Sequence, residues 1–217
     1  MERHLTVTRS ARYYQAGELS AATRQVWFVC HGYGQLAAYF IRHFHRLAQA
    51  NPTTVIIAPE GLSRFYLSGT SGRVGATWMT REDRLSEIDD YVAYLNQLAG
   101  TVLAECSPAV QVTVLGFSQG AATVSRWLAR ASFRPRHLIL WAGAFPPDMD
   151  FTVATHLLRQ LPVTLVCGTR DEFIDEAALT QQQDFLQKLG VEPEIIRFEG
   201  KHELNAAVLD QLHRPTQ

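Results

Sequence analysis

The chain has 217 residues, 47% of them hydrophobic, and a formal net charge of -1. That length and composition suit a single domain, 1–217, with a developed core. Charge of this size without runs in either half favours no nucleic-acid partner, and no apolar stretch is long enough for stable membrane insertion.

Met1–Ser10 carries basic residues with no apolar stretch behind them, so no signal peptide is expected. Leu5–Thr8 and Arg12–Gln15 read as an antiparallel pair at a sheet edge. Val26–Cys30 is a run of consecutive apolar residues, the pattern of a strand buried on both faces. A helix over Leu36–Gln49 and a second buried strand at Thr54–Ala58 follow. The segment Gly61–Thr80 breaks the alternation, with four glycines among Phe65, Tyr66 and Trp78. A loop of that length inside a compact domain is usually functional, and this one starts after a strand, over the ligand-binding face.

Leu85, Ile88, Val92, Leu95, Leu98 and Val102 recur every three or four residues and predict a helix over Glu82–Leu103. Strands are then expected at Val110–Leu115, His137–Trp141, Val163–Cys167 and Glu194–Phe198, and helices at Gln119–Ala131, Asp175–Leu189 and Glu203–His213. Pro52, Pro108, Pro135, Pro162 and Pro193 punctuate the chain before strands, and Gly190 suits a helix C-cap. Such alternation implies a three-layer α/β domain: a mostly parallel central sheet with helices on both faces and ligands at the carboxyl ends of the strands.

Cys30, Cys106 and Cys167 are odd in number and lack metal-ligand spacing, so they read as small core residues of a disulfide-free, cytoplasmic protein. His43 and His45 are two apart on a predicted helix and point in different directions. No metal motif, phosphate loop or dinucleotide fingerprint is present, so neither metal nor cofactor is expected.

Gly116-Phe117-Ser118-Gln119-Gly120 lies between a predicted strand and a predicted helix. A serine hydroxyl is a weak nucleophile unless a base can reach it, and a sharp strand-to-helix turn lifts Ser118 above the sheet. The acid and the histidine should follow in that order. Asp171 comes three residues after Gly168 at the end of one strand, and His202 stands in the corresponding loop after the last strand. His202 is the expected general base, and Asp171 the acid that orients it. Glu172, Asp175 and Asp148 are competitors for the acid position. The loop His31-Gly32-Tyr33-Gly34-Gln35 follows the first core strand. Its glycines let backbone N–H groups turn toward a carbonyl oxygen, so the N–H groups of Tyr33 and Gln119 are the expected oxyanion donors. His31 itself reads as structural.

These motifs, with Ala58-Pro59-Glu60-Gly61 and Gly200-Lys201-His202-Glu203, resemble the phospholipase/carboxylesterase family of the α/β-hydrolases, which includes acyl-protein thioesterases and small bacterial carboxylesterases. The resemblance covers most of the chain. It implies the α/β-hydrolase fold, hydrolysis of a small-molecule carboxylic ester, no cofactor, homodimers, and Tyr33 and Gln119 as oxyanion donors. Tyr33 stands where the family often has Leu, Gln35 where it often has an acidic residue, and Lys201 precedes His202 where it often has Gly.

Trp78 and Trp141 are the candidates to line an apolar substrate pocket. Thioesterase and lysophospholipase activities share the same chemistry and remain alternatives, with peptidase the least favoured because an amine leaves poorly. The non-enzymatic alternative is a hydrolase-fold protein that binds a small ligand without turnover. Such proteins commonly lose a triad residue, and all three are present here.

Overall fold

Consecutive β-branched and apolar residues produce six parallel strands, all but the last in the chain covered on both faces. The computed structural model describes residues 1, 3–149, 151–159 and 161–214. In chain order, β1 is Tyr13–Ala16, β2 Gln25–Cys30, β3 Thr54–Pro59, β4 Ser63–Tyr66, β5 Val74–Thr77, β6 Gln111–Phe117, β7 His137–Trp141, β8 Val163–Gly168 and β9 Glu194–Phe198. The main sheet has seven strands in the order β1-β3-β2-β6-β7-β8-β9, with β1 antiparallel to β3 and every other neighbour parallel.

Strand alternation splits the core into two layers. Val26, Phe28 and Cys30 of β2 face one layer, and Trp27 and Val29 face the other. The first layer is covered by α3, Arg84–Ala104, α4, Gln119–Leu128, and α6, Glu176–Lys188. The second is covered by α1, Ala37–Phe40, α2, His45–Ala50, and α7, Ala206–His213. Helix α3 buries Ile88, Tyr91, Val92, Leu95, Leu98, Ala99 and Val102. At about 1.5–3 kcal/mol for each large apolar side chain, this face fixes α3 against the sheet. Leu85, at the helix start, stays 68% exposed and takes no part. Among the described residues no helix is long and apolar enough to cross a membrane.

Four departures from the sequence reading have physical causes. The edge pair is not made by Leu5–Thr8. Tyr13–Ala16 pairs with β3 instead, held where the Arg12 guanidinium meets the buried Glu60 carboxylate at 2.6 Å, while Leu5 and Val7 remain exposed. The expected helix over Leu36–Gln49 is interrupted by a 3-10 segment at Ile41–Phe44, whose i, i+3 geometry stacks Ile41 over Phe44 so that both are buried. A further helix, α5, spans Phe151–Leu158 where no helix was expected. The segment Gly61–Thr80 is not an open loop. It holds the β4–β5 hairpin, with Gln35 bridged to Ala76, and so lies against the loop after β2.

Cys30, Cys106 and Cys167 are free and buried.

Candidate active site

Parallel register brings the chemistry to one edge of the sheet. Cys30 pairs with Gly116, Phe117 with Trp141, and Gly168 with Phe198. The loops that begin at His31, Ser118, Thr169 and Glu199 therefore leave the sheet on the same side.

Ser118 stands between β6 and α4, as the N-cap of α4, with φ 53° and ψ -117°. A non-glycine residue in such a conformation costs on the order of 1–3 kcal/mol, and only surrounding contacts hold it there. The Ser118 N–H donates to the Trp141 carbonyl at 2.8 Å, and its carbonyl accepts from the Ala121 N–H at 2.9 Å. The turn is too tight for side chains beside it. A Cβ on Gly116 would lie 2.3 Å from the Gly120 carbonyl oxygen, and one on Gly120 would lie 2.3 Å from that of Cys30. This is the physical requirement behind glycine at both flanks of the serine.

Asp171 and His202 meet across the β8 and β9 loops. His202 Nδ1 lies 2.9 Å from Asp171 Oδ2 and 3.1 Å from Oδ1. The carboxylate is fully shielded from solvent, and the imidazole retains 18% side-chain exposure. Asp171 Oδ1 also accepts the N–H groups of Phe173 at 2.8 Å and Ile174 at 3.1 Å. A buried carboxylate is tolerated only when its lone pairs are satisfied, and here three donors converge on it. The two loops are bonded to each other: the Thr169 N–H donates to the Phe198 carbonyl and the Arg170 N–H to the Gly200 carbonyl. His202 is packed between the buried ring of Phe117, at 5.0 Å, and the exposed ring of Phe173, at 4.7 Å. Its neighbour Glu203 is tethered by the Trp141 indole N–H, 2.9 Å from the Glu203 carbonyl.

The competing acids have other partners. Asp148 is ion-paired to Arg84 and Arg126. Burial pushes its carboxyl up, but hydrogen bonds and charge from the two guanidiniums outweigh that and bring it down to about 2. Asp175 caps α6 by accepting the Ala178 N–H, and Glu172 is exposed. Among the described residues no hydrogen bond joins Ser118 Oγ to His202. The contact of Phe117 with the His202 ring puts the residue next to Ser118 directly against the imidazole.

The loop after β2 closes the other side. A Cβ on Gly32 would meet the Ser118 Cβ at 3.1 Å, so this loop rests on the Ser118 turn. Among the described residues neither the Tyr33 N–H nor the Gln119 N–H has a protein acceptor. Gln119 is the first residue of α4, where unsatisfied N–H groups favour negative charge. Its side chain does separate work: Oε1 accepts the Trp78 N–H at 3.1 Å, and Nε2 donates to the Met79 carbonyl at 2.8 Å. That clamp on the end of the β4–β5 hairpin is invisible in the sequence.

Trp78 and Trp141 do not line an open pocket. They are 1% and 0% exposed, and each indole N–H is bound to a backbone carbonyl, of His31 and Glu203 respectively. Indoles with satisfied N–H groups are stable in a core, and these two tether the loop after β2 and the loop after β9. The apolar rim is made by other residues. Tyr33 stacks on Phe65 at 5.1 Å and is 60% exposed, Leu67 is 43% exposed, and Phe173 is 68% exposed.

A central sheet that is parallel except at one edge, with a strained serine at a strand-to-helix turn and a His–Asp pair on the later loops, is the α/β-hydrolase fold. Residues 18–214 match the model of the phospholipase/carboxylesterase family. The chain belongs to that family and is a hydrolase. Among solved structures it is similar to esterase PE8, with 21% identity, TM-score 0.69, and 94% of this chain and 97% of that one covered. It is also similar to acyl-protein thioesterase 2 of Zea mays, with 17% identity, TM-score 0.71 and coverage of 94% and 96%. A phospholipase/carboxylesterase from Dyadobacter fermentans aligns with 16% identity, TM-score 0.65 and coverage of 96% and 97%. At these identities the structural likeness speaks for the fold. No curated protein matches the sequence.

Proposed function

We propose that this hydrolase cleaves small carboxylic esters through an acyl-serine intermediate on Ser118, with His202 as general base and Asp171 as its orienting acid. The observation that carries the reading is the buried Asp171 carboxylate bonded to His202 Nδ1 at 2.9 Å, beside the strained Ser118 turn. That bond holds a proton on Nδ1 and leaves Nε2 free to accept one. His202 Nε2 takes the Ser118 proton as Oγ bonds to the substrate carbonyl carbon. The carbonyl oxygen becomes negative and receives the N–H groups of Tyr33 and Gln119. Each such donor contributes roughly 3 kcal/mol to the transition state. The imidazolium, stabilised by Asp171, then gives its proton to the leaving alkoxide as that bond breaks. Water repeats the sequence on the acyl-serine, releasing the acid and restoring the Ser118 hydroxyl.

The exposed rings of Tyr33 and Phe173 and the side chain of Leu67 favour slender apolar acyl groups. A thioester differs only in its leaving thiolate, and the same rim would suit it. The test is hydrolysis of p-nitrophenyl acetate, butyrate and octanoate at about pH 8, comparing wild type with Ser118→Ala. Serine-dependent turnover is expected, with kcat falling up to roughly a millionfold in the variant. Equal rates for the two proteins on every ester would refute the ester reading.

A further inference from the structure

The buried His31 takes no direct part in that mechanism, yet its ring is wedged between the oxyanion loop and the hairpin. It is 0% exposed. Nε2 accepts the Gly61 N–H at 3.0 Å, so Nε2 carries no proton. Neutral imidazole then has its proton on Nδ1, which lies 2.8 Å from the Gly32 carbonyl oxygen and donates to it. The same oxygen accepts the Gln35 N–H at 3.3 Å, and the Gly32 N–H donates to Gln35 Oε1 at 2.8 Å.

A trans peptide is planar, and its C=O and N–H point in opposite directions. Two donors pulling on the Gly32 carbonyl therefore fix where the Tyr33 N–H points. Among the described residues that N–H has no protein acceptor, and it lies on the loop that rests against Ser118. We infer that His31, as its Nδ1–H tautomer, is a positioning residue that aims the Tyr33 N–H into the oxyanion site by holding the Gly32–Tyr33 peptide. The inference rests on the proposed role of Tyr33 in ester hydrolysis. The ring couples this peptide to the hairpin as well. Gly61 precedes β4, and Trp78, which follows β5, stacks on the imidazole at 5.1 Å and donates its indole N–H to the His31 carbonyl at 2.9 Å. Burial lowers the His31 pKa, in keeping with a neutral ring whose Nε2 faces a donor.

Two substitutions separate aiming the peptide from anchoring the hairpin. In His31→Asn the amide nitrogen occupies the place of Nδ1 and can bond the Gly32 carbonyl, while the acceptor for Gly61 is lost. In His31→Gln the amide oxygen occupies the place of Nε2 and accepts from Gly61, while the donor to Gly32 is lost. Removing an oxyanion donor costs about 100- to 1,000-fold in kcat, which bounds the effect of misdirecting one. His31→Gln is expected to lose about 10- to 100-fold in kcat on p-nitrophenyl butyrate with KM within about twofold, and His31→Asn to recover most of that loss. A purely structural anchor gives the reverse order, with His31→Asn the worse variant, and that result overturns the inference, as does equal activity of both.

The same order is expected for the rate at which a fluorophosphonate labels Ser118, where Oγ displaces fluoride from phosphorus. Labelling without ester turnover would sink the ester reading while still ranking the two variants. If either variant fails to fold, imidazole 15N NMR of the wild type decides. His31 protonated on Nδ1 at pH 7 supports the inference, and an Nε2–H or doubly protonated ring overturns it.

Discussion

Replacing Asp171 by Asn tests whether the acid sets the state of the base. Asp171 Oδ1 accepts the Phe173 and Ile174 N–H groups, while Oδ2 is the nearer oxygen to His202 Nδ1 at 2.9 Å. An Asn side chain satisfies those two backbone donors by placing its oxygen at the Oδ1 position, which turns its NH2 toward His202. A donor then faces Nδ1, and the ring moves its proton to Nε2. In that tautomer His202 cannot take the Ser118 proton. The expected loss in kcat is about 10,000-fold, or roughly 5 kcal/mol, with KM changed by less than about threefold. The geometry of the loop is kept, because both backbone bonds survive. Steady-state kinetics on p-nitrophenyl butyrate, with thermal unfolding as a control, measure both effects. Asp148→Asn serves as the internal comparison, since its ion pairs with Arg84 and Arg126 are away from the imidazole. A loss of less than about tenfold in well-folded Asp171→Asn would refute the argument that this carboxylate fixes the tautomer.

Gln119→Met keeps the backbone N–H of residue 119 but removes the clamp on Trp78 and Met79. Three lost bonds, the third to Thr77 Oγ1, and a stranded Trp78 N–H cost about 2–4 kcal/mol, read as a lower urea midpoint at unchanged m-value. Burial lowers the pKa values of His31, His43, His137 and His213. The unfolded chain protonates such groups from about pH 6.5 downward, before the folded one does. Their contribution is therefore complete above that pH and is lost as pH falls, so the urea midpoint should hold from pH 7.5 to about pH 6.5 and drop from there to pH 5. A midpoint that rises over that interval would contradict it. Burial raises the thiols of Cys30, Cys106 and Cys167, so iodoacetamide at pH 7.5 should label none of them in the native protein and all of them in denaturant.

The local order of the chain was legible wherever apolar pattern and turn residues agreed. Strands β7 and β9 fall on the expected residues, because short apolar runs bounded by proline or glycine have few other uses in a chain of this length. Helix α3 was legible from its spacing, since a long amphipathic period has one buried face. The Gly-Phe-Ser-Gln-Gly turn announced itself because its steric demands are written in residue types. Other features could not be read this way. The β4–β5 hairpin is glycine-rich and short, and it gains its place through Gln35, Gln119 and Trp78, which are distant in sequence. Helix α7 begins only at Ala206, after Asn205 caps it, three residues later than the expected start at Glu203.

The sequence by itself determined the layered architecture, the sharp turn at Ser118 and the family, since each depends on local pattern or on motif identity. Only the tertiary structure decided which carboxylate reaches the imidazole: the packing of the β8 and β9 loops delivers Asp171 to His202, while Asp148 is held by Arg84 and Arg126. It likewise moved Trp78 and Trp141 from the expected pocket into the core. An indole at a strand end suits either place, and the decision falls to whether a backbone carbonyl waits within reach of its N–H.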